Sequence, residues 1–349
     1  MSKLTTKQAY TLFMLAVFSP MIRLVSNLGA QLGGRAGWVS IFVSCAVFFG
    51  LITLLNIYFK NKENADLYTL YESAFGKIIA KILALVYAVW VFGLAGFYLG
   101  AFTDKFAGLI MPGVPAGFFA ITLLALIFII LSGRFQSFAL LSNIFFYVVL
   151  LALAAVFLLQ IPRIKAANLL PVTQYDLPNI ISGVLPTLGI FVYITPLMFL
   201  GAECTEERAK FRKYGLYSMA VLLAAGLVIF ATTVGVFGKD LTAAMEQPFL
   251  MSVKTVGAQG ALERLESVFL LLWVVTDLAI LVMLLHILLK LIGLFSGVKN
   301  TQVFKSPLIL GVYVLSLFSL LPEAAVLKIN LITGLGIPVA AVMIYRLRD

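Results

Sequence analysis

The sequence predicts an all-α polytopic membrane protein of about ten transmembrane helices, built as a five-plus-five inverted repeat with broken first and sixth helices. Three observations carry this prediction. Of 349 residues 62% are hydrophobic and 11% charged, and the mean hydropathy is +1.08, whereas soluble domains hold roughly 45–50% apolar and about 25% charged residues. Apolar stretches of the roughly 20 residues needed to span a bilayer recur along the whole chain. The two stretches most interrupted by helix breakers are the first and the sixth, the corresponding members of two halves of five. An odd number of spans per half gives the halves opposite topology, so the chain reads as one transporter-like domain, residues 1–349, with repeats at about 8–161 and 178–346.

The first span, about 8–31, carries Ser19-Pro20 near its middle and Arg23 about one helical turn later. Proline removes a backbone donor and clashes with the preceding turn, so a kink or unwinding is expected there. The next spans are expected at about 37–59, 78–103, 114–132 and 136–161. Between the second and third, Leu67, Leu70, Tyr71 and Phe75 recur at helical spacing and predict a short amphipathic helix at the membrane surface. The sixth span, about 178–202, holds Gly183, Pro186, Gly189 and Pro196, the densest set of breakers in any span. Paired interruptions in inverted repeats point to a midplane binding site. The remaining spans are expected at about 213–238, 263–294, 306–321 and 326–346. The long connection 238–262 either caps the outer mouth or simply links two spans.

Charge placement orients the chain. With a cytoplasmic N-terminus and alternating spans, inner segments hold sixteen Lys and Arg and outer segments eight, Lys105 among the latter. The positive-inside rule then puts both termini in the cytoplasm. The net charge of +10 is thus a topology signal and not a nucleic-acid footprint. Nothing near Met1 reads as a cleavable signal. Cys45 and Cys204 form no metal or redox spacing, so neither a disulfide nor a metal site is expected.

Asp277 falls near the middle of the eighth span, where a charge costs on the order of 3 kcal/mol and usually faces a bundle interior or wet cavity. At 100° per residue Glu266, Trp273 and Asp277 share a stripe, with Thr276 beside it; His286 faces the other way. Arg23 either pairs with an acid such as Asp277 or Glu266 or offers its fork to a substrate carboxylate. Glu203, Glu206 and Glu207 close the sixth span beside Arg208 and Lys210, as a solvated cluster or, for Glu203, as an inner gate. The chain holds no phosphate-binding glycine loop, no His-Glu-x-x-His and only one histidine, so neither an ATP-driven pump nor an enzyme is expected, and no cofactor.

Three stretches carry a family resemblance: Leu4-Thr5-Thr6-Lys7-Gln8 followed by Gly37-Trp38-Val39-Ser40, then Gln247-Pro248-Phe249, and Leu262-Glu263-Arg264-Leu265-Glu266-Ser267-Val268-Phe269-Leu270-Leu271-Leu272-Trp273. On these motifs, length and span layout, the chain resembles the spore germination permeases, the B subunits of germinant receptors in the amino acid/polyamine/organocation transporter superfamily. The resemblance implies a LeuT/APC-like fold and a pocket for an amino acid or similar small nutrient between the first, third, sixth and eighth spans. Pocket-lining candidates on that placement are Phe18, Ser19, Pro20, Arg23, Tyr98, Gly189, Tyr193, Thr195, Trp273 and Thr276, with Asp277, Glu266 and Glu203 as coupling or gating residues. It also implies A-type and C-type partner subunits in a cell membrane or inner spore membrane, in contact with lipid. One departure stands out: Ser19-Pro20 replaces the glycine-rich break of amino acid transporters, which leaves a backbone cradle for a carboxylate less assured and gives Arg23 that task. A proton-coupled amino acid transporter and a structural subunit with a vestigial pocket are the competing readings.

Overall fold

The computed structural model describes residues 4–60, 65–203, 210–257, 265–298, 300–318 and 321–348. Among them, seven helical stretches are long and apolar enough to cross a membrane; the first, Thr6–Phe59, contains two of the expected spans. Two further expected spans are short: α6 (Ala116–Ser132) has 17 residues and α14 (Lys305–Ser316) has 12.

Helix α1 (Thr6–Pro20) starts on a capping box in which the Thr5 hydroxyl accepts the Gln8 N–H and the Gln8 side chain accepts the Thr5 N–H. Pro20 does not unwind the chain. Residues Met21–Val25 form a π-helical turn, and α2 (Ser26–Gly33) carries the helix onward. The widened turn follows Pro20 on its C-terminal side, and the Ser26 hydroxyl donates to the Ile22 carbonyl at 2.6 Å. At the expected interruption the helix continues through a widened turn. Residues Leu12 to Val17 are all buried, so α1 is apolar all round and forms the centre of the bundle.

Around α1 stand α3 (Gly37–Phe59), α5 (Lys77–Lys105), α7 (Phe135–Gln160), α8 (Leu177–Phe191), α10 (Phe211–Phe237) and α13 (Leu265–Ser296). The most extensive packing joins α5 to α13, α3 to α8 and α10, and α1 to α13 and α7. Exposed Ile78, Val89, Phe118, Ile129, Leu151 and Leu310 give the outside an apolar surface suited to lipid.

The short helix α4 (Leu67–Phe75) is present, N-capped by Asp66. Its apolar face is buried against protein: Leu67, Leu70 and Tyr71 are inaccessible, and the Tyr71 and Tyr87 hydroxyls stand 2.7 Å apart. Tyr87 in turn donates to the Thr333 carbonyl.

The sixth span is broken where neither proline sits. After α8 the chain turns at Val192-Tyr193 before α9 (Ile194–Leu197) and a 3-10 turn, Met198–Glu203. Pro186 lies inside α8 and Pro196 inside α9. The last span is interrupted at the same level: α15 (Glu323–Leu331) passes through a π turn, Ile332–Gly336, into α16 (Ile337–Arg348). The two interruptions satisfy each other. The Thr195 hydroxyl donates to the Gly334 carbonyl at 2.6 Å, and Asn330 Nδ2 donates to the Gly189 carbonyl at 3.1 Å. Gly334 permits this approach, because a Cβ there would lie 2.6 Å from the Val192 Cβ.

The 238–262 connection forms α11 (Lys239–Ala244) and α12 (Pro248–Gly257) as far as it is described. Phe249, Leu250 and Val253 are buried, and Asn27 Nδ2 donates to the Met245 carbonyl at 2.5 Å. Gln160 and Arg163 hold α12 from the end of α7, through Ser252 and the Thr255 carbonyl. The segment is thus a packed helical cap.

Candidate functional site

Asp277 lies in α13 and Lys105 is the last residue of α5. Their side chains meet at 2.5 Å between Oδ2 and Nζ, with only 6% and 4% of each exposed. The other Asp277 oxygen accepts the hydroxyl of Ser19, one residue before Pro20. Trp273, one turn before Asp277 on the same face, donates its indole N–H to Ser19 Oγ at 3.2 Å. The Lys105 ammonium lies 3.9 Å from the centre of the Trp273 ring, so its remaining face meets π density and not solvent. One charge pair thus ties α1, α5 and α13 together. Removing either partner would strand a buried charge, so the arrangement holds only while both are present.

Lys105 also lines a cavity of about 710 Å³. Arg23 and Asn27 contribute to it from the first span, Phe97 from α5, Gln247 from the cap and Glu323 from the start of α15. Arg23 pairs with neither Asp277 nor Glu266. Its Nη1 stands 3.3 Å from Glu323 Oε1, its guanidinium lies over the Phe97 ring at 5.2 Å, and its Nη2 is buried without a partner. Glu266 is drawn outward to Lys254 at 3.2 Å and is about one-third exposed, away from the buried pair.

A second polar chain runs beside the sixth-span break. Trp90 Nε1 donates to Asn330 Oδ1 at 3.0 Å, and Asn330 Nδ2 donates to the Tyr193 hydroxyl at 2.8 Å. The Tyr193 and Tyr98 hydroxyls are 2.8 Å apart. Gly189, Tyr193 and Thr195 are therefore turned toward α15 and its π turn. Their carbonyl and hydroxyl groups are occupied by protein partners.

Of the other expected residues, Phe18 is buried against Phe146, and the Thr276 hydroxyl bonds back to the Trp273 carbonyl at 2.7 Å. Glu203 ends the 3-10 turn, and its side chain, like Cys204, Glu206, Glu207 and Arg208, lies outside the described residues. His286 stacks on Phe135 with ring centres 3.6 Å apart. Among the described residues no group of three or more His, Cys, Asp or Glu could hold a metal ion.

Residues 3–325 match the family described as spore germination protein, the spore permeases. The chain belongs to that family. It is 21% identical over 240 residues to "Spore germination protein A2" of Bacillus subtilis (strain 168), a match covering 68% of this chain and 66% of that relative, slightly under two-thirds of its length.

Sequence reasoning missed Lys105, Glu323 and Asn330. Asp104-Lys105 closes an apolar run and reads as an outer loop, yet Tyr98, Phe102 and Lys105 recur at helical spacing on one buried stripe of α5. That stripe was the available signal. Burial of Lys105 also removes one charge from the outer side of the charge count. Glu323 follows Pro322 in what reads as a loop, and no pattern links it to Arg23.

Proposed function

We propose that this spore germination protein is the B-type subunit of a germinant receptor, binding an amino acid or similar small nutrient in a midplane pocket and triggering germination. Its fold on this reading is a five-plus-five inverted repeat of about ten spans, with both termini cytoplasmic. It sits in the inner spore membrane or cell membrane, with A-type and C-type partner subunits. The packing of α5 on α13 and of α3 on α10 supports the repeat, since each contact joins corresponding members of the two halves.

One observation carries the signalling role. The Lys105–Asp277 pair is buried, clamps α1, α5 and α13, and Lys105 is one of the residues lining the cavity. A charged ligand entering that cavity changes the field at the clamp. A ligand shifts a conformational equilibrium only if it binds one state better than the other, and on this reading the buried charge pair beside the ligand is what differs between the states.

A second reading is a proton-coupled amino acid transporter. Asp277 favours it, as a carboxylate buried inside a span, where such groups mark ion and proton pathways. Proteoliposomes separate the two. Saturable binding of a labelled amino acid without accumulation under an imposed pH gradient is the sensor result, and concentrative uptake is the transporter result. Folded protein with its partner subunits that binds no amino acid would support a purely structural subunit.

A further inference from the structure

Two neighbouring helices are too short for a bilayer, and they meet at a basic end. At 1.5 Å per residue the 17 residues of α6 and the 12 of α14 reach about 25 Å and about 18 Å, against a hydrocarbon core of roughly 30 Å. The two pack on each other and on α5. A short span is accommodated by local thinning of the bilayer and by flanking basic side chains that reach for the headgroups. Lipid phosphates therefore come close to the ends of this pair.

Lys305 is the first residue of α14 and Ser132 the last of α6. Lys305 Nζ donates to Ser132 Oγ at 2.5 Å and lies 4.1 Å from the centre of the Phe128 ring. The Ser132 hydroxyl donates in turn to the Phe128 carbonyl at 2.6 Å. The ammonium is held in place, but its charge is not paired. Arg134, two residues after Ser132, is exposed. Neither cation has an ion pair among the described residues. No Asp or Glu stands between Asp104 and Asp176 or between Asp277 and Glu323, so α6 and α14 carry no acid at all. Gly311 packs on Phe92 and Leu315 on Gly96, so α14 runs in the same direction as α5. That register sets Lys305 near the level of Val86, at the opposite end of α5 from Asp104, and the charges at the near end are Lys77 and Lys81. On α13, which also packs on α6, Glu266 and Asp277 are engaged by Lys254 and Lys105. Exposed Phe128, Ile129, Val303 and Leu310 surround the cluster with apolar surface.

We infer that the adjoining ends of α6 and α14 bind an anionic phospholipid of the surrounding bilayer, its phosphate on Lys305 and Arg134 and its acyl chains along Phe128, Ile129 and Leu310. A zwitterionic headgroup would bring its own cation to a place with two cations and no acid. A free phosphate would leave the apolar surround unused. On the proposed orientation the site faces the cytoplasmic leaflet, whose anionic lipids attract basic groups between helix ends. It is separate from the cavity and independent of which nutrient the chain senses.

The test is native mass spectrometry of the purified full-length protein in detergent, titrated with phosphatidylglycerol or with phosphatidylcholine of the same acyl chains. Phosphatidylglycerol is expected to bind about tenfold more tightly or better, since each basic residue near an anionic headgroup contributes about fivefold. Lys305→Gln/Arg134→Gln should lose that preference and leave phosphatidylcholine within about twofold of wild type. Lys305→Arg/Arg134→Lys keeps both charges and should keep the preference. Arg346→Gln/Arg348→Gln removes the same charge from exposed positions at the end of α16, which packs on α3 and α4, and should change little. Thermal unfolding shows that each variant is folded. Equal binding of the two lipids by the wild type overturns the site and leaves this face to a partner protein or to solvent. An undiminished preference in folded Lys305→Gln/Arg134→Gln also overturns it. Equal losses in that variant and in Arg346→Gln/Arg348→Gln would reduce the effect to diffuse surface charge, and displacement of the lipid by inorganic phosphate would make the ligand a soluble anion. Either result contradicts the proposal.

Discussion

Lys105 Nζ stands 2.5 Å from Asp277 Oδ2 deep in the bundle, joining the end of α5 to the middle of α13. Ser19 and Trp273 complete the shell, so three helices meet at one charge pair. Breaking a buried pair by removing one partner typically costs about 3–5 kcal/mol, whereas replacing both with apolar groups is often nearly neutral. Lys105→Met and Asp277→Leu are each expected to destabilise by about that amount, and Lys105→Met/Asp277→Leu by much less than the sum of the single losses. Thermal and denaturant unfolding in detergent checks the cycle. Additive losses would mean that the two side chains act independently.

Tyr193 links Tyr98 to Asn330. Tyr193→Phe removes that hydroxyl and leaves buried groups short of a partner, at a cost of about 1–3 kcal/mol. Because Tyr193 does not line the cavity, amino acid affinity in the folded variant is expected to stay within about twofold of wild type. Unfolding and equilibrium binding on the same preparation test both halves of this statement.

Gly334→Ala would drive a methyl group toward the Val192 Cβ at 2.6 Å and the Val192 carbonyl at 2.9 Å. Overpacking of this kind costs about 1–3 kcal/mol. It should also push the two interruptions apart and weaken the Thr195–Gly334 bond. Faster amide exchange at Val192 to Thr195 is the expected signature, and an unchanged exchange pattern would show that the contact relaxes freely.

How much of this was legible in the sequence depended on periodicity. Asp277 was legible because a carboxylate inside an apolar run is costly anywhere in a span. The helix after Asp66 was legible from Leu67, Leu70 and Tyr71, although its apolar face meets protein and not the membrane surface. The partners were not legible. Lys105 and Glu323 sit at helix ends, where a charge normally reaches water, and only tertiary packing turns them inward. Breakers were a partial guide. Pro20 is followed by a π turn, while the chain after α8 breaks at Val192-Tyr193, because α15 and its π turn supply bonding partners at that level.

Asp66 lies outside the spans, where its burial raises its pKa above the ordinary value, against hydrogen bonds from Thr69 and the charge of Lys290. An acid with a raised folded pKa stabilises most fully below its unfolded value, and that stability is lost as pH rises toward the folded value. Asn caps a helix about as well as Asp and carries no charge to desolvate. Asp66→Asn is therefore expected to raise the melting temperature at pH 7 and to give little difference below about pH 4. Asp66→Ala should lose about 1 kcal/mol below about pH 4, through loss of the cap, and less at pH 7, where the buried charge goes with it. A lower melting temperature for Asp66→Asn at pH 7 would mean that the Lys290 attraction outweighs burial.

The nutrient response of spores lacking this chain tests the sensing role most directly, read as the fall in optical density on germination. The expected result is loss of the response to at least one amino acid, restored by the wild-type chain and not by a folded Lys105→Met variant. An undiminished response to every nutrient, or full restoration by Lys105→Met, would contradict a sensor that signals through the Lys105–Asp277 pair.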